Sequence, residues 1–244
     1  MQADCSIVEI EHSILGSRFI PERESFIEES KSGWGELARD RWRTDKLDLI
    51  DQCRLLVHRL FLSPGGAKSV IFSGITPRSG CTSVVFSSAE TMAVSTSGSV
   101  CVVDANAYSP YLNNLFDLSS AKGLSDSLME DRPATEYAQR LDESNLWVLP
   151  YGRQPIIDTE KKGRCFWMRD SLAQVASRFD YVLVDTPPAS RYSDAITLGS
   201  AVGGIALVME AGKTRRDIAA RTTSALRGAG ARILGVVLTG QQAG

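Results

Sequence analysis

Short apolar runs separated by longer amphipathic segments set the fold class of this chain more firmly than any other pattern. The runs are mostly continuous rather than alternating, as expected for strands of a sheet covered on both faces. The segments between them are long enough for crossover helices. We therefore predict an α/β fold, a doubly wound and mainly parallel sheet with helices on both faces. The predicted strands are 69–75, 100–103, 146–149, 181–184, 205–209 and 233–238, and the main predicted helices are 81–95, 165–178 and 214–227.

The first 43 residues differ from the rest, because they are polar and their apolar residues show no sustained period. We expect residues 1–43 to form a mobile N-terminal arm, with a solvated tail favoured over a docking segment, and residues 44–244 to form a single domain. Apolar residues at regular steps from Leu47 to Phe61 predict a helix at the start of that domain. Thr44 or Asp45 would cap its start, and the turn at 63–66 would end it.

Composition argues against several classes of protein. The formal net charge of −2 gives no general affinity for nucleic acid, and no apolar run is long enough to cross a bilayer. The five cysteines are scattered without a CxxC pair, which argues against a zinc site or a disulfide framework. The two histidines have no companion ligands nearby in sequence, which argues against a triad hydrolase. We therefore expect a protein of the reducing cytoplasm.

The turn after the first strand of the domain has the composition of a phosphate-binding loop. It runs from Gly74 to Ser83 and would lead into the start of a helix, where backbone N–H groups can hold phosphate. The usual P-loop ends in Gly-Lys-Ser/Thr, and Cys81 stands at the lysine position. The predicted, degenerate nucleotide-binding residues are Arg78, Ser79, Gly80, Cys81, Thr82 and Ser83.

Two aspartates close predicted apolar strands, Asp104 after 100–103 and Asp185 after 181–184. An aspartate at this point of a parallel sheet can hold Mg²⁺ directly or through water. A single aspartate at such a position is more often a strand-end cap. Here two aspartates and the glycine-containing loop each follow a predicted strand, in the order along the chain that is typical of a nucleotide-binding site. Thr82, Asp104 and Asp185 are therefore the predicted Mg²⁺ ligands if a nucleotide binds, and the two aspartates are the catalytic candidates if the protein is active.

Several motifs together resemble the bacterial tyrosine kinases (BY-kinases of the CpsD/CapB type), which are P-loop proteins of the MinD/ParA type. The segment 180–188, Asp-Tyr-Val-Leu-Val-Asp-Thr-Pro-Pro, resembles their Walker B region, and 102–110 resembles their second aspartate motif. Segments 123–126 and 145–152 are similar to further stretches of that family. The resemblance covers about residues 45–240 and implies a P-loop NTPase-like fold and a role in capsule or exopolysaccharide assembly.

The sequence departs from the family where the chemistry takes place. Cys81 replaces the lysine, and Arg78 replaces a loop glycine whose missing side chain lets phosphate approach. Asn106, Tyr108 and Thr239 also differ from the residues usual at their positions, and no tyrosine cluster stands at the C-terminal end. Losing one stabiliser of transition-state charge costs roughly 3–4 kcal/mol. We therefore expect a pseudoenzyme, a pseudokinase or pseudo-ATPase.

The resemblance and these losses lead to one main functional hypothesis. We expect a catalytically degenerate cytoplasmic adaptor or regulator of polysaccharide synthesis or export, with no cofactor or with weakly bound Mg-ATP or Mg-ADP. The family implies a Wzz-like polysaccharide co-polymerase as partner, whose cytoplasmic tail would hold this chain at the inner face of the membrane. A homo-oligomer stays open, because Asp51 and Arg54 match the family's oligomerisation helix while Val57 replaces its second arginine.

Two other functions stay open. A divergent ATPase or tyrosine kinase would use Arg78, or a residue of a partner, in place of the lysine. A MinD/ParA-like positioning protein would need ATP-driven dimerisation and is weakened by the same loss. Cys81 could also be a redox-active thiol, because a helix N-terminus lowers the pKa of a thiol, although a simple small-residue replacement is the favoured interpretation.

Overall fold

A computed structural model of the chain describes residues 6–11, 47–118, 122–153, 164–199 and 202–241. The strands are β1 Ser6–Glu11, β2 Ser69–Gly74, β3 Val100–Asp104, β4 Gln139–Arg140, β5 Leu146–Leu149, β6 Tyr181–Thr186, β7 Ile205–Glu210 and β8 Ile233–Gln241. They form one sheet in the order β1-β8-β7-β2-β6-β3-β5-β4. Neighbouring strands are parallel, apart from the short edge strand β4, which is antiparallel to β5.

Helices connect the strands. They are α1 Leu47–Val57, α2 Cys81–Ser95, α3 Leu112–Leu115, α4 Leu124–Met129, α5 Arg164–Arg178, α6 Asp194–Gly199 and α7 Arg216–Gly228. A π-helical turn, His58–Leu62, continues α1, and a 3₁₀ turn, Ala134–Tyr137, follows α4. None of the helices in the described ranges is long and apolar enough to cross a bilayer.

The core lies on both faces of the sheet. Val70 and Phe72 of β2 pack into one apolar cluster, and Ile71 between them packs into the other. This division follows from the strand period, which sends successive side chains to opposite faces. The first cluster includes residues of α1 and α2, and the second includes residues of α5, α6 and α7. The predicted doubly wound α/β fold is therefore confirmed.

The sequence located the central strands to within three residues at each end, and the helix 81–95 agrees with α2 at both ends. The prediction of a mobile arm over residues 1–43 is wrong for one segment, because Ser6–Glu11 is β1 and pairs with β8. A parallel edge strand depends on a partner far along the chain, so its own short sequence is a weak signal. The rest of that arm, and the proposed caps Thr44 and Asp45, lie outside the described residues.

Candidate functional site

Three loops meet at the carboxyl-terminal edge of the sheet. They do so because β6 lies between β2 and β3, so the loops that follow these strands are neighbours. Asp185 of β6 is in register with Phe72 of β2 and with Asp104 of β3. The N–H groups of Ala189 and Ser190, after β6, donate hydrogen bonds to the carbonyl oxygens of Gly74 and Ile75. This edge is where parallel α/β sheets bind ligands.

The loop between β2 and α2 has the backbone shape of a phosphate loop. It folds back closely, since a Cβ at Gly74 would lie 2.3 Å from Oγ of Ser79. Gly80, which precedes α2, has a φ of 80°, and Arg78 has a φ of 63°. Arg78 thus holds the left-handed conformation that a glycine adopts readily, with its side chain exposed. Arg78, which the resemblance places at a glycine position, therefore has the backbone conformation that a glycine would adopt there.

Contacts from β8 support this loop. The hydroxyl of Thr239 shares its one proton between two carbonyl oxygens, those of Ser79 at 2.8 Å and Met209 at 3.1 Å. Ser79 is buried, and within the part of the chain that the structure describes its Oγ has no hydrogen-bond partner. An unpaired buried hydroxyl is costly unless a ligand or water satisfies it. Thr239, which the sequence marked only as a departure, is therefore a support of the loop.

Thr82 and Asp185 form the most polar contact of the site. The hydroxyl of Thr82 donates a hydrogen bond to Oδ2 of Asp185 at 2.7 Å. The other oxygen, Oδ1, is buried and accepts no hydrogen bond from the described residues. The sequence predicted both residues as magnesium ligands, and the structure brings them together with one carboxylate oxygen unpaired.

Cys81 is the first residue of α2 and lies beside Asp185. Burial of the thiol, followed by the negative charge of Asp185, raises its pKa well above the usual range. The expected lowering by the helix N-terminus is therefore outweighed, which argues against a reactive Cys81 thiolate. The site has a neutral thiol at the position where a P-loop carries an ammonium group. Ser83, two residues after Cys81 in the helix, is half-buried, and its carbonyl oxygen accepts a hydrogen bond from the hydroxyl of Ser87.

Asp104 has different contacts from Asp185. Its Oδ1 accepts a hydrogen bond from the N–H of Asn106 at 3.0 Å. Its Oδ2 accepts hydrogen bonds from the N–H groups of Tyr111, at 2.9 Å, and Leu112, at 3.1 Å. Asp104 thereby satisfies backbone groups at the start of α3, which is the role of a helix cap. Both of its oxygens are already engaged, so Asp185 is the better placed of the two for a cation.

Burial raises the pKa of both aspartates. For Asp185, desolvation and the neighbouring Asp104 raise the pKa, and the Thr82 hydrogen bond opposes the change. For Asp104, desolvation raises the pKa, and the three backbone hydrogen bonds oppose it. The ionisation of these two neighbouring carboxyl groups is disfavoured, and a cation bound between them would stabilise their charged forms.

Two tyrosines that follow different strands stack at this edge. The ring centroids of Tyr108, after β3, and Tyr192, after β6, are 3.7 Å apart, with 19° between the planes. Tyr108 stands on a turn in which the side chain of Asn106 accepts hydrogen bonds from two backbone N–H groups. The sequence marked Tyr108 only as a departure and missed Tyr192. An aromatic residue shortly after each of two strands would have been the signal.

The residues present suit a magnesium-bound nucleotide in some respects only. Thr82 and the unpaired oxygen of Asp185 can hold Mg²⁺ or its water ligands, and the start of α2 can hold phosphate. Within the described ranges, no three His, Cys, Asp or Glu side chains lie close enough to bind a metal by themselves. A bound Mg²⁺ would therefore take its other ligands from phosphate and water. Cys81 supplies no charge for the β- and γ-phosphates.

Solved structures of other proteins share this architecture. The kinase domain of the Escherichia coli tyrosine kinase ETK superposes with a TM-score of 0.73, covering 98% of this chain and 92% of that chain, at 24% identity. The ParA family ATPase from Chlorobium tepidum TLS gives a TM-score of 0.59, covering 71% and 74%, at 16% identity. The chain thus has the α/β fold of the P-loop NTPases, in its MinD/ParA form.

The family follows from the sequence comparisons. The family model described as "Cellulose biosynthesis protein BcsQ" matches residues 67–208, more than half of the chain, so the chain belongs to this family. It is BY-kinase-like: the tyrosine-protein kinase YwqD of Bacillus subtilis (strain 168) is 29% identical over 143 residues, or 59% of this chain. The tyrosine-protein kinase etk of Escherichia coli (strain K12) is 31% identical over 175 residues, or 70% of this chain. The matches span 60% and 23% of those two relatives.

Proposed function

We propose that this protein is a catalytically degenerate relative of the BY-kinases that acts as a cytoplasmic adaptor or regulator of exopolysaccharide synthesis or export. The observation that carries the proposal is the presence of Cys81, which has no ammonium group, at the lysine position of the phosphate loop. A P-loop lysine stabilises charge that develops on the transferred phosphoryl group. A protonated thiol cannot do so, and Arg78 stands three positions earlier in the loop with its side chain exposed.

The link to polysaccharide rests on relatives. The matching family is described as a cellulose biosynthesis protein, and the matching curated proteins are named tyrosine-protein kinases. A regulator without catalysis would act by contact, and the partner that we propose is the cytoplasmic tail of a Wzz-like polysaccharide co-polymerase in the membrane. Self-association through α1, with Arg54 and Asp51 paired at 3.2 Å on its exposed surface, is a further proposal.

Calorimetric titration with ATP and with ADP, each with Mg²⁺, tests the proposal. We expect no heat of binding and no thermal stabilisation at about millimolar nucleotide, because a site that binds more weakly than this stabilises the folded state very little. Micromolar binding would overturn the degenerate-site proposal. Hydrolysis and phosphotransfer assays would then follow.

A second candidate function is a divergent ATPase, and the intact contact of Thr82 with Asp185 favours it. The substitution Asp185→Ala distinguishes the two. An adaptor should keep partner binding in this variant, provided that it stays folded, whereas an ATPase should lose its nucleotide-dependent function. A matched control is Asp170→Ala, which removes an exposed carboxylate from α5.

A further inference from the structure

A cavity lies at the amino-terminal edge of the sheet, opposite to the candidate nucleotide site. Its volume is about 250 Å³, and it lies between the end of α1 and the start of β8. Leu56, Leu60 and Leu234 contribute to its apolar lining. The strands of a parallel sheet all begin at this edge, so the cavity is separated from the nucleotide-like site by the length of the strands.

The cavity is formed by a fixed turn. The N–H of Ser63 donates a hydrogen bond to the carbonyl oxygen of His58, and the N–H of Ala67 donates one to that of Leu60, each at 2.8 Å. A Cβ at Gly66 would lie 2.3 Å from the carbonyl oxygen of Phe61, so the turn closes tightly at a glycine. These contacts follow a π-helical turn. Such turns are rare in proteins, and where they occur they are often at functional sites.

Two exposed arginines line this cavity, Arg59 from the π-helical turn and Arg232 from the residue before β8. Within the described residues neither forms a salt bridge. By contrast, Arg215 and Arg221 both form salt bridges with Asp217. The cavity therefore has a lining of mixed polarity and two guanidinium groups that form no salt bridge with any residue that the structure describes.

The surroundings of the cavity add positive charge. Lys68 immediately precedes β2 and Arg227 lies in the last turn of α7, so both belong to the same edge, and both are exposed. Asp180, which precedes β6 at this edge, accepts two hydrogen bonds from Ser99 at 2.8 Å. Asp142 and Glu143 precede β5, farther along the sheet. Four exposed cations therefore surround the cavity at this edge, and Asp180 is the acidic neighbour of one of them, Lys68.

We propose that this edge binds the surface of an anionic bilayer, with the phosphate of one phospholipid between Arg59 and Arg232. Guanidinium groups recognise phosphate through paired N–H donors. Four exposed basic residues, Arg59, Lys68, Arg227 and Arg232, are spread over this edge, and such a spread suits a charged surface better than a small anion. The proposal is independent of whether nucleotide binds at the other edge.

Vesicle co-sedimentation of the full chain tests this proposal. The vesicles are phosphatidylglycerol mixed with phosphatidylcholine, and phosphatidylcholine alone. The test variant is Arg59→Gln/Arg232→Gln. The matched control is Arg191→Gln/Arg216→Gln, which removes the same charge from the opposite edge, after β6 and at the start of α7. We expect binding to the anionic vesicles only, weakened roughly ten- to thirtyfold by the test variant and little by the control.

Several results would overturn the proposal. These are no binding to anionic vesicles, equal weakening by both double variants, or competition by soluble glycerol phosphate at the concentration of the lipid. Binding of an acidic peptide with the same dependence on Arg59 and Arg232 in place of lipid would overturn it as well. If the double variant loses its cooperative thermal unfolding, the single charge reversal Arg232→Glu replaces it with the same expected outcome.

Discussion

Arg78 shows how the site could lose chemistry without losing shape. Its φ of 63° is the conformation of a loop glycine, and a non-glycine residue held there costs about 1 kcal/mol. Two contacts hold the backbone of the loop: the Thr239 hydroxyl bonds to the carbonyl oxygen of Ser79, and Ser79 packs closely against Gly74. Neither contact involves the side chain at position 78. Side chains at the loop could therefore change while the strand–loop–helix unit stayed folded.

A loop backbone that is held in this way predicts that side-chain substitutions alone can strengthen nucleotide binding. The double substitution Arg78→Gly/Cys81→Lys restores the family pattern in a loop that already has the required backbone. We expect it to bind Mg-ATP at least about tenfold more tightly than the unmodified chain, a change of about 1.4 kcal/mol, measured by calorimetry. Cys81→Lys alone is the matched control. Adding Thr82→Val should abolish the gain, and a gain that survives this change would place the nucleotide elsewhere.

The buried carboxyl groups predict an unusual dependence of stability on pH. The pKa of Asp185 is raised above its unfolded value, so the folded state keeps a proton that the unfolded state has lost. The contribution of this group to the free energy of unfolding should therefore fall as pH rises, from the unfolded pKa near 4 towards the folded pKa of about 7. This direction is opposite to that of a salt-bridged aspartate.

Denaturant unfolding of the chain and of Asp185→Asn, at about pH 5 and about pH 7.5 and without metal, measures this effect. We expect the variant to gain about 2 kcal/mol relative to the unmodified chain between the two pH values. Asp170→Asn, on the exposed surface of α5, is the control and should show no such change. A constant difference at both pH values would mean that Asp185 ionises normally.

Among the elements, β8 connects the loop to the rest of the sheet. Its Thr239 joins the phosphate loop to β7 through two carbonyl oxygens. The substitution Thr239→Val keeps the branched shape and removes the hydroxyl, which leaves buried carbonyl groups without this donor. We expect a loss of about 1–2 kcal/mol in the free energy of unfolding.

Thr91→Val is a suitable control for that change, because its hydroxyl donates only to the carbonyl oxygen of Ser87 within α2 among the bonds described. It should cost less than about 0.5 kcal/mol. Equal losses in the two variants would contradict a special role of Thr239 in holding the loop.

The elements also show which structure could be predicted from sequence. The central strands and α2 follow from continuous apolar runs and from the loop that starts the helix. Short elements such as α3 and β4, of four and two residues, have no period to detect and depend on tertiary contacts. In the site, the meeting of Thr82 and Asp185 follows from strand order. The use of Asp104 as a cap does not, since it depends on the path of the chain up to Leu112.

At the scale of the whole molecule, the two edges of the sheet differ in character. The carboxyl-terminal edge carries buried acids and a loop shaped for phosphate, and the amino-terminal edge carries exposed cations around a cavity. Each edge is assembled from segments far apart in sequence, and β8 reaches both: Arg232 precedes it at one edge, and Thr239 lies near its end at the other. The stability of β8 should therefore matter to both.

The pairing of β1 with β8 predicts that residues before the domain stabilise it. Removing residues 1–11 would turn β8 into an edge strand and expose backbone groups now paired with Ile7 and Val8. We expect hydrogen exchange of the β8 amides between Gly235 and Leu238 to accelerate by about five- to tenfold, the effect of roughly one hydrogen bond. Removal of residues 1–5 alone should leave the rates unchanged. Unchanged rates after the longer deletion would show that β1 adds nothing to β8.

The stacked rings of Tyr108 and Tyr192 are an intrinsic spectroscopic probe of the carboxyl-terminal edge. They belong to loops that follow separate strands, so any ligand that parts or tightens these loops changes the distance between two coupled chromophores. Rings in such contact interact electronically, and their near-ultraviolet circular dichroism depends on how they are arranged. A binding event at the carboxyl-terminal edge can therefore be followed by near-ultraviolet circular dichroism without a label.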